Sequence, residues 1–396
     1  MVAALLFSCL GAPPPPAGDS GSPPVPPADS GAPLDLWVSG PTTVDALRQL
    51  VGSPSGWLIL SNPTGYRLQV QRVASNGNLA DPASVPITPF AQHYRGLWTG
   101  SEYAVVAVTN QDYYDLVATL DVLRVPVAGP IPPVSHRVGE GLGWPGDLQG
   151  ACDGVGACVV ALKDAHWLAT GETLRLSFDA AGATAPIAPI GAGESRRPLD
   201  AVRDGDRTLL ALGGGSEPSG LAWLPDDPTQ AAESLIPTPG MRLAAGPNGI
   251  SLAAESHYEP NGDSGLPLGA WSVRAERVQH GVGLLDADPI DLGPGILAGV
   301  AHTGATFVVA LIDADVPYLV RMEADGLAGE RIPVVGAPTA APILASGPAG
   351  HLLWGTTLIA ADPPFFVRIE VDVPAGGACS DNAGCLSGVC DAGACD

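Results

Sequence analysis

Basic residues are scarce in this 396-residue chain. Lysine and arginine together number 18 against 41 acidic residues, lysine occurs only once, as Lys163, and the formal net charge is -23. A surface of this sign repels a phosphate backbone instead of releasing its counterions. We therefore expect no nucleic-acid partner.

The chain also lacks long apolar runs. No stretch approaches the ~18 to 20 uninterrupted apolar residues that a membrane-spanning helix needs. Between residues 40 and 375 there is no convincing amphipathic helix, and short β-like runs alternate with turn sequences instead. These absences favour an all-β domain, and a chain of this length can bury a substantial core.

A turn followed by an apolar run occurs seven times, for example "DGVGACVVAL" and "HTGATFVVAL". An apolar segment precedes each turn, and a longer alternating strand follows each run, in several repeats with a fourth short strand. A four-stranded unit repeated every 40 to 50 residues is typical of a β-propeller blade. The turn glycines are Gly56, Gly100, Gly156, Gly205, Gly249, Gly304 and Gly350.

The pattern therefore predicts a single all-β propeller over residues 34–376, with seven four-stranded blades. After "FFVRIEVDV" the last repeat has no fourth strand, whereas "LDLWV", residues 34–38, precedes the first hairpin and has no other partner. We predict that this N-terminal strand completes the last blade. Six or eight blades remain alternatives because the repeat spacing is uneven, and two stacked β-sandwiches are a second architecture.

Six cysteines are expected to form disulfides in an oxidising compartment. Cys152 and Cys158 bracket the turn-like "DGVGA", which favours a disulfide across the tip of a hairpin. The remaining four lie in residues 377–396, a tail too small to have a core, so two further disulfides are expected with open connectivity. A zinc site is the alternative there, but the tail has no histidine. These four are Cys379, Cys385, Cys390 and Cys395.

The N-terminal sequence predicts a targeting segment followed by a tether. Residues 1–9 are apolar and end in "LFSC", which resembles the bacterial lipobox, in which the cysteine is diacylated. This resemblance implies that Cys9 carries lipid; a disordered apolar terminus with an unmodified cysteine is the alternative. Residues 10–33 contain nine prolines and almost no large apolar side chains, so they are expected to be a disordered tether.

With "LFSC", the seven hairpins and the final four cysteines, the chain resembles secreted bacterial β-propeller lipoproteins that have a short cysteine-rich tail. The resemblance implies a monomer without cofactors, attached to the bacterial cell envelope through its lipid only. Its expected role is non-enzymatic binding or scaffolding of a protein or carbohydrate. The alternatives are an extracytoplasmic hydrolase or lyase acting on a carbohydrate or other polymer at the propeller channel, and a purely structural envelope component.

The segment "NGDSGLPL" differs at one position from the nucleophile motif of trypsin-like serine proteases, with Ser264 as the candidate nucleophile. The repeat places it between the second and third strands of the fifth blade, among loops of ordinary turn composition. The tether contains a similar "GDSGSPP" where no site could form. Because a nucleophile needs a positioned base, we interpret residues 262–265 as a hairpin loop and expect no catalytic residue.

Metal sites are not indicated either. The seven histidines are scattered singly, and none forms a pair with metal-ligand spacing. The acidic turns at residues 286–291 and 313–315 could bind calcium through oxygen, but they lack the spacing of a dedicated loop, and solvated acidic turns are favoured. The tryptophans fall on or beside strands, which predicts packing between blades, with an exposed ligand platform as the alternative.

Overall fold

A computed structural model shows a β-propeller of seven antiparallel blades around a central channel, as the sequence repeat predicts. It describes residues 36–44, 46–63, 67–88, 91, 93–112, 117–131, 135–142, 145–164, 171–179, 184–191, 194–213, 219–227, 230, 232–236, 242–259, 270–303, 306–356, 364–371, 390–391 and 394–395. None of the helices in these ranges is long and apolar enough to cross a membrane.

The strands of each blade follow one another in the chain, from the channel outward. Two short segments come first, β1 (Leu36–Val38) and β2 (Thr42–Thr43). Blade 1 contains β3 (Gln49–Ser53), β4 (Gly56–Ser61), β5 (Leu68–Ala74) and β6 (Val85–Thr88). Blade 2 contains β7 (Tyr94–Trp98), β8 (Glu102–Asp112), β9 (Val117–Pro126) and β10 (Ser135–Leu142). Blade 3 contains β11 (Pro145–Cys152), β12 (Cys158–Asp164), β13 (Thr173–Phe178) and β14 (Ala188–Pro189).

Blade 4 contains β15 (Arg197–Asp204), β16 (Arg207–Gly213), β17 (Gly220–Pro225) and β18 (Glu233–Ile236). Blade 5 contains β19 (Arg242–Ala245), β20 (Ile250–Glu259) and β21 (Ala270–Gln279), whose outer edge pairs with both β22 (Gly283–Leu284) and β23 (Ile290–Pro294). Blade 6 contains β24 (Ile296–His302), β25 (Phe307–Asp313), β26 (Val316–Met322) and β27 (Ala328–Pro333). Blade 7 contains β28 (Pro342–Ser346), β29 (Leu352–Thr356) and β30 (Phe365–Val371). Single 3-10 turns at Pro247–Gly249 and Pro348–Gly350 join first to second strands.

The N-terminal strand closes the ring, as predicted. β1 pairs antiparallel with β30, with Leu36 opposite Val371 and Val38 opposite Ile369. Ser39 extends this contact, because its backbone N–H donates to the carbonyl of Arg368. Blade 7 thus takes its outermost strand from the start of the propeller, so both ends of the ring depend on one sheet.

Seven apolar clusters form the core, one at each interface between neighbouring blades. Strand β8 shows how a single strand serves two interfaces. Its Ala104 and Val106 pack toward blade 3, whereas the alternate residues Tyr103 and Val105 pack toward blade 1. The second strands are therefore continuously apolar because a blade covers each of their faces.

The repeated turn glycines are required where neighbouring blades touch. Gly100 has φ +99°, and a Cβ there would lie 1.6 Å from the carbonyl oxygen of Gly154 in the next blade. Gly350 has φ +81°, and a Cβ there would lie 2.1 Å from the carbonyl oxygen of Thr303. Both the backbone conformation and the close approach exclude a side chain.

A row of arginines on the third strands ties successive blades together. Arg72 donates to the carbonyl of Pro126 in blade 2, at 3.1 Å, and Arg124 donates to that of Asp179 in blade 3, at 2.8 Å. Arg277 repeats the contact from blade 5 to Ala324 in blade 6, at 2.7 Å. These side chains are structural, since each satisfies a backbone carbonyl of the following blade.

Arg175 makes the fullest contact of this kind, and we expect its loss to destabilise the chain. The buried side chain donates to the carbonyls of Pro225, Asp227 and Gln230 in blade 4. Arg175→Met keeps most of the volume but removes these donors, so the midpoint of urea unfolding should fall by the equivalent of about 1–3 kcal/mol. Arg137→Met, at a side chain that is 50% exposed, is the control. Equal midpoints for the two variants would show that the contact is not stabilising.

The disulfide expected across "DGVGA" is present between Cys152 and Cys158, which face each other at the ends of β11 and β12. In the tail, β31 (Cys390–Asp391) pairs antiparallel with β32 (Ala394–Cys395). Cys379 and Cys385 lie outside the described residues, as do Cys9 and the tether. Lipidation of Cys9 and the two tail disulfides therefore stay predictions.

Candidate functional site: an arginine-lined channel mouth

The first strands of all seven blades line the central channel, and all of them run in the same direction around it. Their N-terminal ends therefore meet at one mouth of the channel. Since neighbouring strands in a blade are antiparallel, the connections from second to third strands open on this same face. The side chains that begin the first strands are thus the ones that a ligand entering from this face would meet.

Three arginines line the cavities at this mouth. Arg48 precedes β3, Arg95 lies in β7 and Arg242 begins β19, so the three come from blades 1, 2 and 5. Two carboxylates, Asp147 and Asp200, lie near them. These five described side chains carry three positive charges and two negative charges, in a chain whose overall charge is -23.

Both carboxylate oxygens of Asp200 accept hydrogen bonds from other groups of the protein. One carboxylate oxygen accepts from Arg95 Nη2 at 3.2 Å and from its neighbour Ala201 N at 2.9 Å. The other accepts from Leu243 N of blade 5, at 2.9 Å. The Arg95–Asp200 pair therefore links blades 2 and 4 across the channel, and Asp200 acts as a positioning residue that holds the Arg95 guanidinium in place.

The electrostatic environment of Arg95 suits an anion. Burial lowers the pKa of Arg95; Asp200 opposes this effect, and the positive charge of Arg242 adds to it. The pKa of an arginine is high enough that the side chain stays charged at neutral pH. An incoming anion would relieve the repulsion between Arg95 and Arg242, so this arrangement favours a negatively charged ligand group.

A cavity of about 480 Å³ opens beside these arginines. Three of the polar side chains that line it each have one buried atom that makes no hydrogen bond to the described residues. In the lining of this cavity, the buried atoms that have no hydrogen-bond partner among the described residues are Nε of Arg95, Oε1 of Gln149 and Oδ1 of Asn62. Buried polar atoms are normally paired, so unpaired ones grouped around one cavity mark a place for ligand contacts. For a ligand, these atoms supply one hydrogen-bond donor, Arg95 Nε, and two acceptors, Gln149 Oε1 and Asn62 Oδ1.

The remaining polar lining of this cavity is neutral. Burial lowers the pKa of His93, with Asp147 opposing, so its imidazole is uncharged at neutral pH. Burial raises the pKa of Tyr94 to about 12, so its phenol also stays neutral. The charge that a ligand meets here therefore comes from the arginines and the two carboxylates.

Below the arginines the first strands of all seven blades form the channel wall. The channel cavity has a volume of about 680 Å³. Its wall includes leucine, valine and alanine residues of the first strands, most of whose side chains pack into the clusters between blades: Leu50, Val51, Leu97, Ala151, Leu199, Val202, Leu243, Ala298, Val300 and Leu344. A glycosidase acting in this channel would need two carboxylates about 5–10 Å apart, positioned as acid and nucleophile or base. Among the described residues that line the channel, the carboxylate is Asp200, which is engaged as above.

Ser264 lies outside the described residues, and its reading as a loop residue stays a prediction. The flanking strands β20 and β21 pair from Glu259 opposite Ala270 onward, so residues 260–269 connect the second and third strands of blade 5. We expect no labelling of the folded chain by a fluorophosphonate probe beyond the level of a Ser264→Ala variant. Labelling that is lost in this variant would identify a reactive serine and overturn the loop interpretation.

A buried carboxyl on β20 gives a pH-dependent prediction. Burial, together with the charge of Glu276, raises the pKa of Glu255 to about 7, while Arg274 opposes the shift. The folded state then holds a proton that the unfolded state releases above its ordinary pKa, so this group destabilises the fold as pH rises from about 4.5 to 7.

Glu255→Gln should therefore be more stable than the parent at pH 8, by about 1–3 kcal/mol, and equally stable at pH 4. Urea unfolding at the two pH values measures this difference. Glu330→Gln, at an exposed residue of β27, is the matched control. A Glu255→Gln variant without a pH-dependent gain would contradict the raised pKa.

The structure differs from two of the sequence-based expectations, which concern the solvation of the acidic turns and the burial of the tryptophans. The prediction of a solvated turn is wrong for Asp286, which is largely buried and pairs with Arg277 at 2.5 Å. Asp313 pairs with Arg331 at 3.3 Å. Trp57 is buried between blades as predicted, whereas Trp271 is 44% exposed and contacts Tyr258. No group of three or more metal-ligating side chains occurs within the described ranges.

The arginines of the mouth were missed in the sequence because their relation appears only when they are aligned to the repeat. Each directly precedes or begins the apolar run of a first strand, in "ALRQL", "HYRGL" and "MRLAA". That recurring position, once the repeat is known, is the feature that could have identified them.

Solved structures share the fold without sharing the sequence. The WD40 domain of Toxoplasma gondii coronin matches with a TM-score of 0.53 at 10% identity, over 88% of this chain and 89% of that one. The RRP9 WD40 repeats match with a TM-score of 0.52 at 12% identity, over 84% and 99%. At such identities the similarity shows the β-propeller fold alone. No protein-family model matches this sequence, and no curated protein sequence is significantly similar to it.

Proposed function

We propose that this chain is a non-enzymatic binding module of the bacterial cell envelope, tethered through Cys9 and holding its ligand at the arginine-lined channel mouth. The observation that carries the proposal is the group of unpaired buried polar atoms of Asn62, Arg95 and Gln149 around one cavity. The volume of this cavity, about 480 Å³, lies within the range of known ligand sites.

The comparison that tests ligand binding uses the full chain with Cys9→Ser, which prevents lipidation. Native mass spectrometry after incubation with an enzymatic digest of envelope polysaccharide and peptide should show a bound adduct. The adduct should be lost in Gln149→Leu, which removes one of the unpaired acceptors while nearly keeping the side-chain size. An adduct that persists in Gln149→Leu places the ligand elsewhere, and no adduct with any fraction contradicts the proposal.

The anchoring part of the proposal rests on "LFSC" and the proline-rich tether. Two acyl chains bury enough CH₂ groups to hold a protein on a membrane, so the parent chain should sediment with membranes and incorporate an alkyne-labelled fatty acid. Cys9→Ser should do neither. Label incorporation that survives in Cys9→Ser would contradict lipidation at this residue.

A further inference from the structure

The chemistry of the channel mouth narrows the ligand to one class. We infer that the site binds a sugar acid, meaning a saccharide unit that carries a carboxylate, with the carboxylate against the arginines and hydroxyls toward the amide side chains. This inference rests on the proposed binding function and specifies its ligand.

The preference for a negatively charged ligand group follows from the arginines at the mouth. Several arginines elsewhere hold the fold, as in the inter-blade contacts of Arg72, Arg124 and Arg277. Arg48, in contrast, is exposed at the mouth and has no ion pair with any described residue. Guanidinium groups bind carboxylates through paired hydrogen bonds, so the group that fits here is an anion.

The preference for a ligand with hydroxyl groups follows from two hydrogen-bond acceptors that have no donor among the described residues. Gln149 Oε1 and Asn62 Oδ1 are buried at the cavity wall and can only accept hydrogen bonds. The amide nitrogen of Asn62 is already occupied, because it donates to the carbonyl of Ala91 at 3.0 Å. A simple anion such as sulfate has no donor for these oxygens, whereas a polyhydroxylated acid offers both a carboxylate and several O–H groups.

The wall beside these groups suits a saccharide ring. Tyr94 lines the same cavity, and an aromatic side chain is a suitable neighbour for the C–H face of a sugar. Asp147 and Asp200 also lie near the arginines, which disfavours ligands that carry several negative charges. A single carboxylate on a neutral hydroxylated body meets both conditions.

Isothermal titration of the full-length Cys9→Ser chain with D-glucuronate, D-glucose, acetate and sulfate tests the inference. We expect binding of D-glucuronate that weakens as salt is added, and at least tenfold weaker binding of the other three compounds. Arg48→Gln should weaken D-glucuronate binding at least tenfold. Arg137→Gln removes the same charge from an exposed position in β10 of blade 2 and should leave the affinity unchanged.

The four compounds distinguish a sugar-acid site from a simple anion site and from a neutral sugar site. Acetate or sulfate bound as tightly as D-glucuronate would mean a simple anion site, and D-glucose bound as tightly would mean a neutral sugar site; either result overturns the inference. If the adduct from the envelope digest forms and is lost in Gln149→Leu, but D-glucuronate does not bind, the binding function stands and the sugar-acid assignment is wrong. If neither binds, both fail.

Discussion

Trp57→Ala should lower the free energy of unfolding by about 3–5 kcal/mol, the largest effect we expect from a single substitution. Trp57 is fully buried at the interface between blades 7 and 1, where the ring closes. Its Nε1 donates to the carbonyl of Ala345 in blade 7, at 3.3 Å, and its ring lies so close to Gly347 that a Cβ there would be 2.3 Å away. Truncation leaves a large cavity and removes this hydrogen bond between the blades.

Trp271→Ala is the matched control, because Trp271 is 44% exposed on blade 5. Its effect should stay within about 1 kcal/mol. Urea unfolding followed by far-ultraviolet circular dichroism measures both variants, and Trp57→Phe serves as an intermediate if Trp57→Ala does not fold. A Trp57→Phe variant as stable as the parent, together with an equally mild Trp57→Ala, would show that this interface contributes little.

Deletion of residues 1–39 should destabilise the propeller by about 3 kcal/mol, whereas deletion of residues 1–33 should leave its stability unchanged. The longer deletion removes β1, whose Leu36 and Val38 pack into the interface between blades 6 and 7. It also removes Ser39, which both donates to and accepts from the backbone of Arg368. Apolar burial and hydrogen bonds of this extent account for the expected loss.

The exposed edge of β30 gives this prediction a second readout. Without β1, β30 would lose its outer neighbour and become the edge strand of blade 7, and free strand edges promote association. Thermal unfolding and size-exclusion chromatography should therefore separate the two truncations. The same unfolding temperature and the same elution volume for both would contradict closure through β1.

The fold could be predicted because its physical cause is repeated in the chain. A strand between two blades must be apolar on both faces, so each second strand is a continuous apolar run, as in Ala104–Val108. Each tight turn that touches its neighbour needs glycine, as at Gly100. The closing strand was predictable for a related reason, since the last repeat is one strand short and residues 34–38 are one strand in excess.

The site could not be predicted in the same way. Arg48, Arg95 and Arg242 lie far apart in the sequence and come together only because the ring closes. Whether an acidic residue such as Asp200 or Asp286 is solvated or paired depends on which arginine faces it, and local composition does not contain that information. The loop composition around Ser264 drew attention to a motif, whereas the unpaired atoms lie on two first strands and, for Asn62, directly after a second strand, where the local sequence is ordinary.

A crystal structure of the full-length Cys9→Ser chain soaked with D-glucuronate tests most directly whether the channel mouth is the ligand site. We expect the carboxylate within hydrogen-bond distance of Arg48 or Arg95 and a hydroxyl on Gln149 Oε1. A sugar bound instead on the exposed Tyr258–Trp271 pair, with the channel mouth free of ligand at saturating concentration, would contradict the assignment of function to the channel.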